Sequence, residues 1–236
     1  MKIGLVSYLN SYPYRYGLET YKIDFQTFVP SAVADALKDG IIDIGLVPVV
    51  ESFNNENWQF ALNYGIAAHK KVKTVLLASN KPIEEIKKIE LDSDSRTSNA
   101  LCKVLFKNFY KQNVDFVQNE NADAQVLIGD KTFGVEKKFK FIYDLSEEWH
   151  KFTNLPFVFA VWISNKDLKK SELYRLFKES LEYGIGYLKE SVEEYKNIIS
   201  IPQTEALDYL QNYICYPIGA EEIKAIDLFR ELYLEL

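Results

Sequence analysis

Two polar segments of the chain stand where strands end, and both are rich in small neutral hydrogen-bond donors. The first, Ser7 to Pro13, follows the apolar run Lys2 to Val6, which is typical of a buried strand. The second, Ser93 to Leu101, opens a helical pattern. Because open α/β sheets bind ligands at the carboxyl edge of their strands, and helix amino ends favour anions, the segments predict a site for a small anion. Its candidate side chains are Asn10, Ser11, Ser95, Arg96, Thr97 and Ser98.

The helix start also has a simpler interpretation. Ser95 and Thr97 each fit an ordinary N-cap, a role that contributes about 1 kcal/mol to helix stability. On spacing alone this structural role is the more frequent one, since cap residues begin most helices.

The elements that must position these segments alternate along the chain, which favours parallel sheets flanked by helices. The strand-like runs are Ile3 to Ser7, Ile41 to Leu46, Thr74 to Ser79, Gln125 to Ile128 and Phe157 to Ile163. The third and fifth of these runs are the natural crossings between two lobes. We therefore expect one lobe to comprise residues 1–79 and 163–236, including a helical C-terminal tail, and the other to comprise residues 80–162.

Composition narrows the class of protein. The chain has 236 residues, of which 47% are hydrophobic and 26% charged, as in a globular protein without long disordered stretches. A net charge of −6 argues against a nucleic-acid or anionic-membrane surface, and no apolar run is long enough to span a bilayer. Since the chain enters a strand without a leader-like segment, we expect a cytoplasmic protein. Its oligomeric state is not indicated.

Residues that bind metals or react as nucleophiles are scarce. Cys102 and Cys215 are the only cysteines, and His69 and His150 the only histidines. They provide neither a disulfide framework nor a four-ligand zinc site, and both histidines are interpreted as surface or rim residues. No dinucleotide fingerprint or phosphate-binding loop occurs, so we expect no metal and no cofactor.

Six segments in order resemble the chorismate dehydratase family of the futalosine route to menaquinone. The resemblance implies a two-lobed fold like the type II periplasmic binding proteins, with mainly parallel sheets and the ligand in the interlobe cleft. Two positions depart from the family pattern: residues 67–71 are unusually basic, and Asn154 replaces a usual glycine. The segments that carry the resemblance are Ser7 to Pro13, Val29 to Ser31, Asp43 to Glu51, Ser95 to Ser98, Leu127 to Asp130 and Leu155 to Trp162.

The resemblance implies loss of water from chorismate, a dicarboxylate, to give 3-[(1-carboxyvinyl)oxy]benzoate. In this hypothesis the three hydroxyl residues Ser95, Thr97 and Ser98, with the helix N–H groups, hold one carboxylate. Asn10 and Ser11 hold the other carboxylate or the leaving hydroxyl. The base is either Asp130 or the substrate's own enolpyruvyl carboxylate.

Several alternatives stay open at this point. Arg96 fits either a contact with a carboxylate or an outward orientation, and Lys70, Lys71 and Lys73 fit either substrate attraction or solubility. The sister 1,4-dihydroxy-6-naphthoate synthase usually opens with a Ser-Pro-Cys-Pro-Asn-type loop, which Ser7 to Pro13 do not match. A non-catalytic receptor for small anions on the same fold is the alternative from another class.

Overall fold

The strands form two β-sheets in the computed structural model, which describes residues 1–55, 57–168 and 171–236. Within these residues the first sheet has six strands in the order β11-β4-β10-β3-β1-β2, and the second has five in the order β7-β6-β8-β5-β9. The strands are β1 (Ile3–Val6), β2 (Phe25–Phe28), β3 (Ile44–Pro48), β4 (Gln59–Ala68), β5 (Val75–Ser79), β6 (Lys88–Glu90), β7 (Asp115–Val117), β8 (Ala124–Ile128), β9 (Phe141–Asp144), β10 (Phe157–Ser164) and β11 (Cys215–Pro217).

Helices flank both sheets. They are α1 (Tyr12–Thr20), α2 (Pro30–Lys38), α3 (Arg96–Val104), α4 (Leu145–Thr153), α5 (Glu172–Gly186), α6 (Leu188–Glu194), α7 (Gln203–Asn212) and α8 (Ala220–Leu234). Short 3₁₀ turns cover Leu9–Ser11, Val49–Asn54, Ile83–Glu85, Gly129–Thr132 and Val135–Lys137, and a π-helical turn, Leu105–Tyr110, continues α3. No helix in the described part of the chain combines the length and the apolar character needed to cross a bilayer.

Both sheets are mixed, which corrects the expectation of mainly parallel sheets. In the first sheet β1 runs parallel to β2 and β3, whereas β10 is antiparallel to both β3 and β4. In the second sheet β6 runs parallel to β7 and β8, whereas β5 is antiparallel to β8 and β9. β5 and β10 are the strands that follow the two crossings between the sheets, and β11 is likewise antiparallel to β4. A strand that is buried on both faces is an apolar run whether it is parallel or antiparallel to its neighbours, so composition did not reveal the strand direction.

The chain crosses between the sheets in residues 69–74 and again in residues 154–156. We call the six-stranded sheet with its helices the first lobe, and the five-stranded sheet with its helices the second lobe. The boundary predicted near Asn80 is too late in the chain, because β5, which ends at Ser79, already pairs inside the second sheet. The return at Ile163 is also too late, because β10 pairs in the first sheet from Phe157 onward. The division into two lobes stays a proposal, with its boundaries moved accordingly.

A buried carboxylate fixes the first crossing segment. Asp144, the N-cap of α4, is 7% exposed, and its Oδ2 accepts hydrogen bonds from the N–H groups of Val72 at 3.0 Å and Lys73 at 2.7 Å. Its Oδ1 accepts from Ser146 and Glu147 at the start of α4. One side chain therefore satisfies backbone donors of the crossing segment and of the helix together.

The C-terminal helices pack mainly on the first lobe. α5 crosses α1 so closely that a Cβ built on Gly17 would lie 1.8 Å from the carbonyl oxygen of Ser180, which only glycine permits. α7 reaches the crossing segment, where the hydroxyls of Tyr209 and Thr74 share a hydrogen bond of 2.7 Å. This tail therefore supports both the first lobe and the segment that leads to the second.

Candidate active site

A cavity lies between the two lobes at the carboxyl ends of β1, β3 and β8. Its volume is about 60 Å³. The described residues that line it include no carboxylate, imidazole, thiol or ammonium group, so its polar character comes from hydroxyls, one amide and the backbone. They are Val6, Tyr8, Asn10, Pro30, Leu46, Pro48, Ile66, Val72, Thr74, Val75, Ser95, Thr97, Ser98, Ile128, Gly129, Phe159 and Ala160.

Two polar atoms on cavity-lining residues are unpaired. Asn10 Oδ1 and Thr97 Oγ1 are buried, and neither has a hydrogen-bond partner among the described residues. Thr97 is only 2% exposed. Because buried polar atoms in folded proteins are nearly always paired, these two atoms give the cavity free hydrogen-bonding capacity that a ligand can use.

The amino end of α3 faces the cavity and is capped as the simpler interpretation predicted. Ser95 Oγ accepts a hydrogen bond from the Ser98 N–H at 3.2 Å and donates one to Ser98 Oγ at 2.7 Å. Ser95, Thr97 and Ser98 all line the cavity as well. The cap therefore holds the hydroxyls beside the first N–H groups of the helix, which have no intrahelical acceptor and favour an anion.

The loop that carries Asn10 is held by residues far away in sequence. The Tyr216 hydroxyl of β11 donates to the backbone oxygen of Asn10 at 3.0 Å. Burial raises the pKa of Tyr209, and the nearby Thr74 hydroxyl and Asn10 amide act in the opposite direction, so the phenol stays protonated beside the amide. Tyr209, Thr74 and Tyr216 could not be predicted from the sequence, since no local motif links them to the loop.

Three of the seven predicted site residues do not line the cavity. Ser11 is fully buried, and its hydroxyl donates to the backbone oxygens of Val6 at 2.6 Å and Tyr8 at 2.8 Å, which fixes the turn after β1. Asp130 follows the lining residue Gly129 but lies outside the lining. Burial raises the pKa of Asp130, while the N–H of Leu9 lowers it.

The third, Arg96, bridges the lobes outside the cavity. It donates from α3 to Glu51 at 3.0 Å and to Asp35 of α2 at 2.8 Å. The cavity thus brings together Asn10, Ser95, Thr97 and Ser98 from the predicted set. The roles of Ser11, Arg96 and Asp130 stay predictions.

The lobes also touch at Tyr8, which the sequence analysis did not select as a site residue. Its ring lies against Gly129, where a Cβ would come within 2.8 Å of Tyr8 Cδ1, and Gly129 has φ +60°. Burial, together with the Asp94 carboxylate, raises the pKa of Tyr8 to about 12. The Ser31 N–H donates to the Asp94 backbone oxygen at 3.2 Å on the same side. These contacts bring the lobes together over the cavity.

The lysines of the crossing segment lie outside the cavity. Lys73 Nζ is 3.1 Å from Asp208 and 3.8 Å from the centre of the Tyr213 ring, and Lys71 Nζ is 3.5 Å from Glu147. Lys70 is exposed. None of the three lines the cavity, so their positions favour a role in solubility over a role in attracting substrate.

Two α/β lobes around a central ligand cavity define the class of periplasmic-binding-protein-like folds. A Candida albicans gene product described as having the generic periplasmic binding protein fold superposes with a TM-score of 0.66 at 14% identity, over 100% of this chain and 90% of its own. The expected fold class is confirmed. More particularly, the chain belongs to the menaquinone biosynthesis family, whose model matches residues 1–235.

Curated relatives agree with this family. The chain is 29% identical to a chorismate dehydratase of Campylobacter jejuni over 97% of this chain and 96% of that protein. It is 24% identical to a chorismate dehydratase of Thermus thermophilus over 89% of this chain and 87% of that protein. Both similarities extend over most of the chain.

Proposed function

We propose that this protein is a chorismate dehydratase, a carbon–oxygen lyase that eliminates water from chorismate to give 3-[(1-carboxyvinyl)oxy]benzoate. The observation that carries the proposal is the interlobe cavity, in which unpaired Asn10 and Thr97 oxygens meet the amino end of α3. Membership of the menaquinone biosynthesis family and the similarity to two chorismate dehydratases support the choice of substrate. Action in the cytoplasm stays a prediction.

The amino end of α3 fits the ring carboxylate of the substrate. Removal of the proton on C3 sends negative charge through the ring alkene toward the carboxylate on C1. Donors at that carboxylate therefore stabilise the transition state more than the bound substrate. The hydroxyls of Thr97 and Ser98 and the first N–H groups of α3 are the donors, and the helix dipole adds to their effect. Ser95, whose own O–H is donated to Ser98 Oγ, holds the Ser98 hydroxyl in position.

Asn10 orients the opposite end of the substrate. Its amide can donate to the enolpyruvyl carboxylate and accept from the C4 hydroxyl, but it takes no proton at neutral pH. The Tyr216 hydroxyl fixes its backbone, and the Tyr209 hydroxyl, which shares a hydrogen bond with Thr74, interacts with its side chain. Asn10 is therefore positioned to hold the leaving hydroxyl and the second carboxylate in one geometry.

The base in this proposal is the enolpyruvyl carboxylate of the substrate. No described side chain that lines the cavity carries a carboxylate or an imidazole, and Asp130 is not part of the lining. The substrate carboxylate takes the C3 proton, the C–H electrons form the new C3–C4 double bond, and the C4–O bond breaks. The departing hydroxide takes up the proton that the carboxylate has gained and leaves as water, and the ring becomes aromatic. The protein's part is to hold the conformation in which carboxylate and proton meet.

The apolar lining completes the proposed mechanism. Leu46, Ile66, Val75, Ile128 and Phe159 surround the space between the polar groups. They fit a carbocyclic ring and exclude water, which strengthens hydrogen bonds to the carboxylates. A fixed ring also disfavours the competing rearrangements of chorismate, which need other conformations of the enolpyruvyl arm.

The test is to mix the purified protein, treated with EDTA, with chorismate and to follow the cyclohexadiene absorbance. Mass and proton spectra then identify the product. We expect an aromatic product lighter than chorismate by one water, formed faster than in a control without protein. Chorismate recovered unchanged, at concentrations where binding is demonstrated by calorimetry, would refute the dehydratase and leave a receptor for small anions. Turnover of a futalosine derivative instead would point to the sister synthase.

A further inference from the structure

Three side chains of metal-binding type meet on the first lobe, away from the cavity. His69, Cys215 and Glu222 each offer one ligand atom, and these atoms all lie within 4.8 Å of one another. None of the three residues lines the cavity. Their meeting has no part in the proposed dehydration and calls for a separate explanation.

The secondary structure fixes the three residues relative to one another. Cys215 begins β11 and pairs with Ala67 of β4, and His69 follows directly after that strand. Glu222 lies in the first turn of α8, which begins soon after β11 ends. A strand pair and a helix start thus present the three side chains together, and such rigid elements make a precise site.

Glu222 is already oriented. It is 6% exposed, and its Oε2 accepts the Gly219 N–H at 2.9 Å as part of the helix cap. This leaves Oε1, which lies 3.9 Å from His69 Nδ1. The His69 side chain is 62% exposed, so an ion could reach the site from solvent. A buried, pre-oriented carboxylate oxygen beside an accessible imidazole therefore provides two of the ligands that a metal ion needs.

The spacing matches a tetrahedral ion more closely than a hydrogen-bonded cluster. Ligand atoms bound to zinc at about 2.0–2.3 Å lie roughly 3.3–3.8 Å apart. The imidazole and carboxylate atoms, at 3.9 Å, are already near this separation and too far apart for a hydrogen bond. The Cys215 thiol has a contact of 3.5 Å to the Pro217 backbone oxygen. A shift of about 1 Å in the widest pair would complete the ligand geometry.

We propose that His69, Cys215 and Glu222 form a Zn²⁺ site with water as the fourth ligand. Imidazole, thiolate and carboxylate are the donors that zinc accepts in proteins. As the metal–sulfur bond forms, the Cys215 thiol proton is released to solvent. The ion would tie the beginning of the crossing segment to β11 and α8, so its role is to brace the first lobe.

The test uses the full-length protein stripped with EDTA and titrated with Co²⁺, whose bond to a thiolate gives a charge-transfer band in the near ultraviolet. We expect this band at one equivalent, its loss when Zn²⁺ displaces Co²⁺, and a higher melting temperature with Zn²⁺. Cys215→Ser should abolish the band. His69→Gln and Glu222→Gln should weaken Zn²⁺ binding, measured by calorimetry, at least as much as the roughly 10–100-fold loss typical of outer-shell changes.

Two matched controls keep the test decisive. Glu221→Gln changes the exposed neighbour of Glu222, and His150→Gln changes the other histidine; both should bind Zn²⁺ like the wild type. Because His69 is exposed, its variant should fold normally even if Cys215→Ser does not. The site is disproved if wild-type protein shows no thiolate band. It is equally disproved if His69→Gln binds Zn²⁺ as tightly as His150→Gln, since the ion then sits elsewhere.

Discussion

Replacement of Thr97 by valine distinguishes whether its hydroxyl binds a ligand or stabilises the fold. Thr97 is 2% exposed, and its Oγ1 has no partner among the described residues. Valine has nearly the same shape, so Thr97→Val breaks no hydrogen bond within the protein. We therefore expect the free energy of unfolding to stay the same or to rise slightly, because an unpaired buried polar group is removed.

The expected loss lies in catalysis. A hydrogen bond to a charged group contributes about 1.5–3 kcal/mol, and each 1.36 kcal/mol corresponds to a factor of ten in rate. If Thr97 Oγ1 donates to the substrate carboxylate, kcat/KM for chorismate should fall about 10–150-fold. Because charge grows on that carboxylate in the transition state, most of the loss should appear in kcat.

The assay pairs chorismate turnover with thermal unfolding, and Thr153→Val is its matched control. Thr153 Oγ1 donates to the Trp149 backbone oxygen at 2.8 Å, and neither residue lines the cavity. The control should lower Tm and leave kcat/KM unchanged. Thr97→Val should instead lower kcat/KM and leave Tm unchanged or slightly higher. Wild-type kcat/KM in Thr97→Val would refute the assigned role. A fall in Tm that accompanies its loss of activity would show that the hydroxyl is structural.

Four further predictions concern other residues. Asn10→Asp should lower kcat/KM about 100-fold or more, measured as chorismate turnover, since like charges about 4 Å apart repel by about 4 kcal/mol at an effective dielectric constant of 20. Asp130→Asn should keep near-normal kcat, whereas total loss with intact substrate binding would make Asp130 the base. Arg96→Ala should raise KM less than about fivefold with little change in kcat, because its ion pairs are partly exposed. Asp144→Asn should lower the free energy of unfolding in urea by about 1–3 kcal/mol, because the amide cannot accept from every N–H that the carboxylate does; unchanged stability would contradict its anchoring role.

Local patterns predicted much of the site. The polar loop after β1 and the capped start of α3 are each encoded within about ten residues, and both line the cavity. Asn10, Ser95, Thr97 and Ser98 were therefore found from the sequence. The orientation of the Arg96 side chain could not be predicted, because it depends on ion pairs with Asp35 and Glu51, which come from another part of the fold.

Long-range pairing explains the rest. The ten-residue strand β4 was missed, since its polar and apolar residues follow no strict alternation. The sheet that receives β5 is determined by β8 and β9, far along the chain. The meeting of His69 with Cys215 and Glu222 likewise depends on the pairing of β11 with β4, which no local motif announces.

The contact of Tyr8 with Gly129 has a consequence for the balance between lobe arrangements. A residue with a Cβ at this position would meet the ring, and it would also bear about 1–2 kcal/mol for its left-handed backbone. A change of about 1.4 kcal/mol already alters a population ratio tenfold. The measured affinity is the intrinsic affinity multiplied by the fraction of molecules in the competent arrangement. The absence of a side chain at Gly129 therefore adjusts how tightly the cavity holds a ligand, through the balance between lobe arrangements as well as through the lining.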